Sequence, residues 1–321
     1  MTNIDNILVL GGSGFLGRCI CEELVRRGGG AGGPIAVATR HAQRARELLP
    51  LPTLVIEEAD VHDDAQLAKL LHGRDAVINL IGILHGTESD FRRAHADLPR
   101  RLGEACAAAN VHRLVHVSAI GASPDGPSLY LKSKAEGEEA IRRLPLAWTI
   151  LRPSVMFGAE DHFVNLFANL QTHFPVVPLA GADAQLQPVW VEDVARAIAL
   201  CIDQDASVGQ TYECAGPEVM TLGDVVRLAG VWSRHARRVI KLPHALAWLE
   251  AQLFEVLPGE PLLTRDNLKS LEVPNVASGK LPGLKDLGVE PTPMEGVMAP
   301  LLGHEDRAER LQSLRATAGR S

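Results

Sequence analysis

Tyr130 and Lys134 stand four residues apart in Tyr130-Leu131-Lys132-Ser133-Lys134, which opens a predicted helix running through Glu136, Glu138 and Ile141. At that spacing the two side chains share one helix face. An ammonium beside a phenol favours phenolate and lowers a pKa that is otherwise about 10. A tyrosine tuned in this way can pass a proton to or from a carbonyl oxygen while a nicotinamide moves a hydride. Lys132 lies on the opposite side. In isolation a Tyr with a Lys one turn later is a common solvated pair, so the meaning of this one depends on the elements around it.

Those elements begin with Gly11-Gly12-Ser13-Gly14-Phe15-Leu16-Gly17, set after the apolar run Asn6-Ile7-Leu8-Val9-Leu10 and before an amphipathic helix in which Leu16, Ile20 and Leu24 recur at every fourth residue. The order is strand, glycine turn, helix. The helix points its amide-rich, positive N-terminus at whatever anion sits above the turn, and a dinucleotide pyrophosphate fits that place. Gly11 and Gly14 permit the tight turn, and Gly17 lets the helix lie near the sheet. Ser13, Phe15, Leu16 and Arg18 complete the predicted cofactor-binding turn.

The second strand, Ile35 to Thr39, ends in Arg40, where an acidic residue would hydrogen-bond the ribose 2′-hydroxyl of NAD. A guanidinium suits a 2′-phosphate instead, and Arg18 and Arg44 could bracket the same group. NADP(H) is therefore expected over NAD(H). Leu54-Val55-Ile56 reads as a third strand with Asp60-Val61 in its loop, where Asp60 either accepts from the adenine amino group or caps the next helix. Asp75 to Gly82 gives a fourth strand that brings Leu80, Ile81 and Gly82 over the cofactor. A mostly helical stretch from Phe91 to Asn110 leads to a fifth strand, Arg113 to Val117, followed by Ser118. Five alternations imply an α/β protein with a Rossmann-type doubly wound parallel sheet, which binds ligands beyond the carboxyl ends of its strands.

On these residues the chain resembles the short-chain dehydrogenase/reductase superfamily in its extended or atypical branch: Gly11/Gly14/Gly17, Ser118 and Tyr130/Lys134 match its glycine turn, its serine after the fifth strand and its Tyr-x-x-x-Lys. The resemblance implies that Lys134 also holds the nicotinamide ribose and that Ser118 orients a substrate oxygen. Leu151-Arg152-Pro153-Ser154-Val155 resembles the turn after the sixth strand, whose backbone lies against the nicotinamide carboxamide. Glu160 to Asn165, Pro178 to Gly181 and Gln187 to Ala195 are similar to the subgroup related to the nucleotide-binding accessory subunit of respiratory complex I, a likeness that runs to about Leu302. It implies an NADP(H)-binding accessory protein of complex I or ubiquinone metabolism with a tightly held, even structural, nucleotide. An active NADP(H)-dependent carbonyl reductase using Tyr130 and Lys134 is the alternative, with a small carbonyl or quinone-like ligand. A sugar-nucleotide epimerase or dehydratase is a third, and Arg40 counts against it.

The rest of the composition narrows the classes. A net charge of −7 with no basic stripe argues against a nucleic-acid partner. The five cysteines, Cys19, Cys21, Cys106, Cys201 and Cys214, are scattered, have no metal spacing and read as small buried hydrophobes in a reducing compartment. His85, His116 and His162 are expected as polar contacts, so no metal site is expected. No stretch offers the roughly 20 uninterrupted apolar residues of a membrane span. With only a few residues before the first strand, no signal peptide or presequence is expected, and the reading is a cytoplasmic protein, with a peripheral place at the inner membrane face as a variant of it.

Residues 1–160 are expected to form the nucleotide-binding domain and 161–321 a smaller interlocked α/β lobe for substrate or partner, with a tail after about residue 303. In that lobe Glu192-Asp193 is expected to cap a helix, and Thr221 another. Leu246, Leu249, Leu253 and Leu257, with Trp248 and Phe254, make an apolar side on a helix from His244 to Leu257 that is expected to pack into the lobe, the alternative being contact with a membrane surface or a respiratory-complex partner.

Overall fold

A computed structural model describes residues 4–256 and 263–303. The first half runs β1 (Ile7–Leu10), α1 (Phe15–Arg27), β2 (Ile35–Thr39), β3 (Leu54–Glu58), α2 (Asp64–Leu71), β4 (Ala76–Asn79), α3 (Glu88–Arg92), α4 (Leu98–Ala108), β5 (Arg113–Val117), α5 (Leu129–Arg142) and β6 (Ala147–Pro153). The second half adds β7 (Met156–Phe157), α6 (Val164–His173), β8 (Val176–Leu179), β9 (Gln185–Leu186), β10 (Val189–Trp190), α7 (Val191–Asp203), β11 (Gln210–Cys214), β12 (Met220–Thr221), α8 (Leu222–Trp232), β13 (Arg238–Lys241), α9 (His244–Val256), α10 (Arg265–Ser270) and α11 (Met294–Leu302).

Seven parallel strands form the central sheet in the order β11-β6-β5-β4-β1-β2-β3. The chain thus has the Rossmann-type α/β fold. The reason is visible in β1, where alternate residues point to opposite faces. Ile7 and Val9 enter one buried cluster with Leu16, Ile20 and Leu24 of α1, while Leu8 and Leu10 enter another with Leu67 of α2 and Leu98 of α4. A strand covered on both faces needs an unbroken apolar run, which is what the sequence supplies.

Two elements from beyond residue 160 complete this unit. β11 pairs with the free edge of β6 from Gln210↔Thr149 to Cys214↔Pro153, and α7 packs against α1. A separate cluster, with Phe157, Val164, Val177, Val226 and Met298, holds the short strands of the second half to α6, α8 and α11.

Several local expectations take a different form. The helical stretch from Phe91 is interrupted by a π-turn at Arg93–Asp97, wedged against α5 so tightly that a Cβ on Gly137 would collide with the His95 carbonyl oxygen. The cap of α2 is Asp63, whose carboxylate accepts from the Gln66 amide, not Asp60. Asp193 does not cap α7 either: it is fully buried and accepts from the amide (2.7 Å) and hydroxyl (3.2 Å) of Thr292, tying in the C-terminal segment. Thr221 does form a capping box, with Asp224.

On α9 the buried face is alanine: Ala247 and Ala251 pack with Ala180 and Leu268, whereas Leu246 is 54% and Trp248 41% exposed. The expected inward packing of that apolar side does not hold for these two residues, because the small side chains occupy the contact. The side chains of Leu249, Leu253 and Phe254, all of Leu257, and the tail after residue 303 lie outside the described residues. Among the described residues no helix is long and apolar enough to cross a membrane.

Candidate functional site

The glycine turn forms at the carboxyl end of β1. Gly11 adopts φ +84° and accepts a hydrogen bond from the Gly14 amide at 3.1 Å, and Gly14 is the N-cap of α1 without any side-chain cap. The first amides of α1 therefore face the turn with no side chain of their own to satisfy them, the arrangement that anions complement. A Cβ at Gly17 would sit 2.5 Å from Gly12 Cα and closer still to the Gly11 carbonyl oxygen, so the helix can approach the turn this far only with glycine there.

Beside this turn opens a cavity of about 310 Å³ lined by Gly11, Ser13, Arg40, Val61 and Ile81 from the predicted set, and also by Arg44, His62 and Arg93. Arg40 and Arg44 come from the end of β2 and the turn after it, and their side chains carry no hydrogen bond or ion pair among the described residues. Arg93 was not anticipated: its position follows from the π-turn, which no local pattern announces. Arg18, expected at the same phosphate, is instead held between Glu47 (2.7 Å) and Glu160 and does not line the cavity. Asp60 does not line the cavity either; its carboxylate accepts from the His62 amide at 3.0 Å. Phe15 and Leu16 turn inward, Leu16 into the core and Phe15 toward Gly158.

The second group of predicted residues gathers at the ends of β4 and β5 and the start of α5. Lys134 is buried, donates to the Val117 carbonyl at 3.2 Å and lies 5.9 Å from the centre of the Tyr130 ring. A Cβ on Gly82 would stand 3.1 Å from the Lys134 ammonium, which puts the end of β4 directly against it. Leu80 stays on the sheet through its bond to the Leu10 carbonyl. Ser118 is buried with its hydroxyl unpartnered.

Burial sets the electrostatics here. It pushes the Tyr130 phenol up to about 12, opposite to the lowering expected from Lys134 alone, so Tyr130 is held as an acid. Burial also pulls Lys134 down to about 8, with Glu138 one turn further along α5 opposing the fall. His95, brought in by the π-turn, accepts from the Ile83 amide at 2.9 Å, contacts the Ser133 hydroxyl at 2.9 Å and meets the Tyr130 ring edge-on. Burial lowers it to about 2, helped by Lys134, and lowers His116, beside Asn79, to about 3. Both imidazoles are neutral.

The turn after β6 differs from expectation. The Pro153 carbonyl accepts from Ile120, the Ser154 amide donates to Cys214, and the Val155 amide donates to the side-chain oxygen of Asn275 at 2.9 Å. Ser154 Oγ also binds that oxygen at 2.6 Å. The backbone expected to meet a carboxamide is thus already engaged by the chain's own carboxamide at Asn275. Among the described residues no group of three His, Cys, Asp or Glu could hold a metal ion.

The helix carrying Tyr130 is anchored from the far end of the chain. Asp266 of α10 accepts from the Leu129 amide at 2.7 Å and the Tyr130 amide at 3.1 Å, and Ser128 Oγ accepts from Leu131. Asp266→Ala leaves two amides at a helix N-terminus without their anion, and is expected to cost about 1–2 kcal/mol, read as a lower urea midpoint at unchanged m.

Residues 11–205 match the family described as NAD(P)H-binding. Over 293 residues the sequence is 35% identical to NADH dehydrogenase (ubiquinone) 1 alpha subcomplex subunit 9, mitochondrial, of Rattus norvegicus, across 89% of this chain and 77% of that protein. The Arabidopsis thaliana protein of the same name is 30% identical over 301 residues, across 90% and 75%. In structure the chain is similar to the NADPH-dependent quinone oxidoreductase QOR2 of Escherichia coli in its complex with NADPH, with a TM-score of 0.73 at 21% identity over 93% of this chain and 99% of that one.

Proposed function

The chain belongs to the NAD(P)H-binding family that its residues 11–205 match, and we propose that the nucleotide it holds is NADP(H) rather than NAD(H), kept by an accessory protein of a respiratory NADH:ubiquinone system. The observation that carries the cofactor reading is Arg40: where the second strand ends, a guanidinium lines the cavity and is bound by no carboxylate among the described residues. The acid that does line it, Asp90, is engaged by Thr87. Gly11, Ser13 and the α1 amides would hold the pyrophosphate, and Gly82, Val117, Tyr130 and Lys134 would face the nicotinamide half. The likeness to the mitochondrial subunits over nine-tenths of the chain supports the accessory role. In this reading residues 1–160, completed by α7 and β11, form the nucleotide domain, and the remainder serves a partner or ligand. The exposed Leu246 and Trp248 of α9 support a contact of that lobe with a respiratory-complex or membrane-surface partner.

A second reading, reduction of a carbonyl or quinone-like ligand, is favoured by one observation: Tyr130, with the Lys134 ammonium 5.9 Å from its ring and its phenol pushed above the usual value by burial, starts the helix that follows β5, at whose end Ser118 keeps an unpartnered hydroxyl. The nicotinamide would supply hydride. Tyr130 would supply the proton to the substrate oxygen, Ser118 would orient that oxygen, and Lys134 would place its positive charge beside both.

Denaturing the purified protein and analysing the released small molecules by mass spectrometry is expected to yield NADP(H). Tyr130→Phe is expected to leave that content unchanged. If carbonyl or quinone reduction is measurable in the wild type, the same variant should lower it by about a hundredfold or more, the usual size of a lost general acid. Release of NAD(H) in place of NADP(H) would overturn the cofactor reading, and reduction that persists in Tyr130→Phe would remove the tyrosine mechanism.

A further inference from the structure

The cavity wall assigned above to the 2′-phosphate has a second side that the strand-end arginine does not explain. Arg93 begins the π-turn after α3, on the β4 side of the cavity, whereas Arg40 and Arg44 approach from the β2 side. His62, from the loop after β3, lines the same cavity, and its Nδ1 is buried and without a hydrogen-bond partner. Its charge environment is set by Arg93, Arg101 and Arg40, which disfavour the imidazolium along with burial, and by Asp60, which favours it.

The side chains of Arg40, Arg44 and Arg93 have no ion pair or hydrogen bond among the described residues, and Asp90, the carboxylate in the same lining, feels the charge of Arg93 but is hydrogen-bonded to Thr87. Other arginines near this end of the sheet are paired, Arg18 with Glu47, and Arg101 with Asp64 and the His62 carbonyl. Three guanidiniums lining one cavity repel one another, and an imidazole nitrogen buried in its wall lacks its hydrogen bond. A dianion in the cavity would relieve the first condition, and the second once the His62 ring turns that nitrogen toward it.

The position of Arg93 is also fixed rather than incidental. Two residues further on, His95 is locked inward between the Ile83 amide and Ser133, and the π-turn is seated on Gly137 of α5. Residues two apart on a helix point to nearly opposite sides, so an inward His95 sets Arg93 facing the cavity.

Resting on the NADP(H) reading above, we infer that Arg93 and His62 complete the 2′-phosphate site: Arg93 closes it from the β4 side against Arg40 and Arg44, and the His62 ring turns its buried, unpartnered Nδ1 out to bond the phosphate from the β3 loop. Both are then specificity-determining residues for the phosphorylated cofactor.

The test is calorimetric titration of the full-length protein with NADPH, NADH and 2′,5′-ADP. Arg93→Met is expected to weaken NADPH and 2′,5′-ADP by about ten- to a hundredfold, the size of one lost charge-assisted bond, with NADH unchanged. His62→Leu should weaken the same two ligands by about tenfold, while His62→Asn, whose amide can replace Nδ1, should restore most of it. Unchanged NADH binding also reports that the variants fold. NADPH and NADH weakened in parallel, or NADPH unaffected by Arg93→Met while the wild type still prefers it, would overturn this inference and leave the NADP(H) reading standing. A wild type that binds NADH as tightly as NADPH would overturn both.

Discussion

Gly17→Val is expected to abolish nucleotide binding, with affinity for NADPH falling by more than about a hundredfold in calorimetric titration. The expected cause is steric and confined to backbone. A Cβ at this position falls 2.5 Å from Gly12 Cα and nearer to the Gly11 carbonyl oxygen, neither of which can rotate away as a side chain would. To admit it, α1 must lift from the turn, breaking the approach that aims its first amides at one point. Overpacking of this kind costs about 1–3 kcal/mol of stability as well, so the thermal midpoint should fall. Gly296→Ala is the matched control. Gly296 lies on the exposed side of α11 with nothing within 4 Å of its added Cβ, and there alanine should be neutral or slightly stabilising with NADPH affinity intact. Full NADPH binding by Gly17→Val would mean that the turn does not receive the cofactor.

Glu138→Ala is expected to cost about 3–5 kcal/mol, the largest stability loss anticipated for a single side chain in the described protein. Glu138 is fully buried, receiving Arg152 through Nε at 2.8 Å and Nη2 at 2.6 Å and Arg142 through Nη2 at 2.7 Å. Its removal strands two partly buried guanidiniums and takes away the negative charge that helps Lys134 remain protonated. The pH dependence gives an independent readout. Lys134 is lowered by burial from 10.5 to about 8, so between those values the unfolded chain binds a proton that the folded one has released, and wild-type stability rises with pH across that span. Without Glu138 the folded-state value falls further, and the rise should begin below pH 8. Urea midpoints measured from pH 6 to 10 on both proteins distinguish this from a simple packing loss, which would shift all points equally.

How much of this was legible beforehand depends on whether the cause is local. Four consecutive apolar residues before a glycine turn specify β1 because a strand covered on both faces has no polar positions to spare, and Arg40 at the end of β2 is adjacent in sequence to the strand that places it. The Tyr130 and Lys134 pair was readable from helical spacing, but its electrostatics was not. The spacing shows the ammonium and hides the burial, which pushes the phenol the other way. Arg93 was illegible because a π-turn reorients it, and that turn exists only where Gly137 of α5 admits the His95 carbonyl. Asp266 on the Leu129 and Tyr130 amides, and Asn275 on the Val155 amide, were illegible for the same reason at longer range: each partner lies more than 100 residues away, and no periodicity encodes such a pairing. Arg18 misled because proximity to the turn in sequence says nothing of Glu160, which claims it.

The seventh strand sets an order on synthesis. While a ribosome has exposed only the first 200 or so residues, the rim of β6 that β11 will later cover offers open amides and carbonyls to any neighbouring nascent chain. Asp193, already emerged, waits for Thr292, nearly 100 residues downstream. Cells making this protein at high density would therefore gain from rapid or chaperone-shielded translation across this interval, because the vulnerable rim stays open until β11 has emerged.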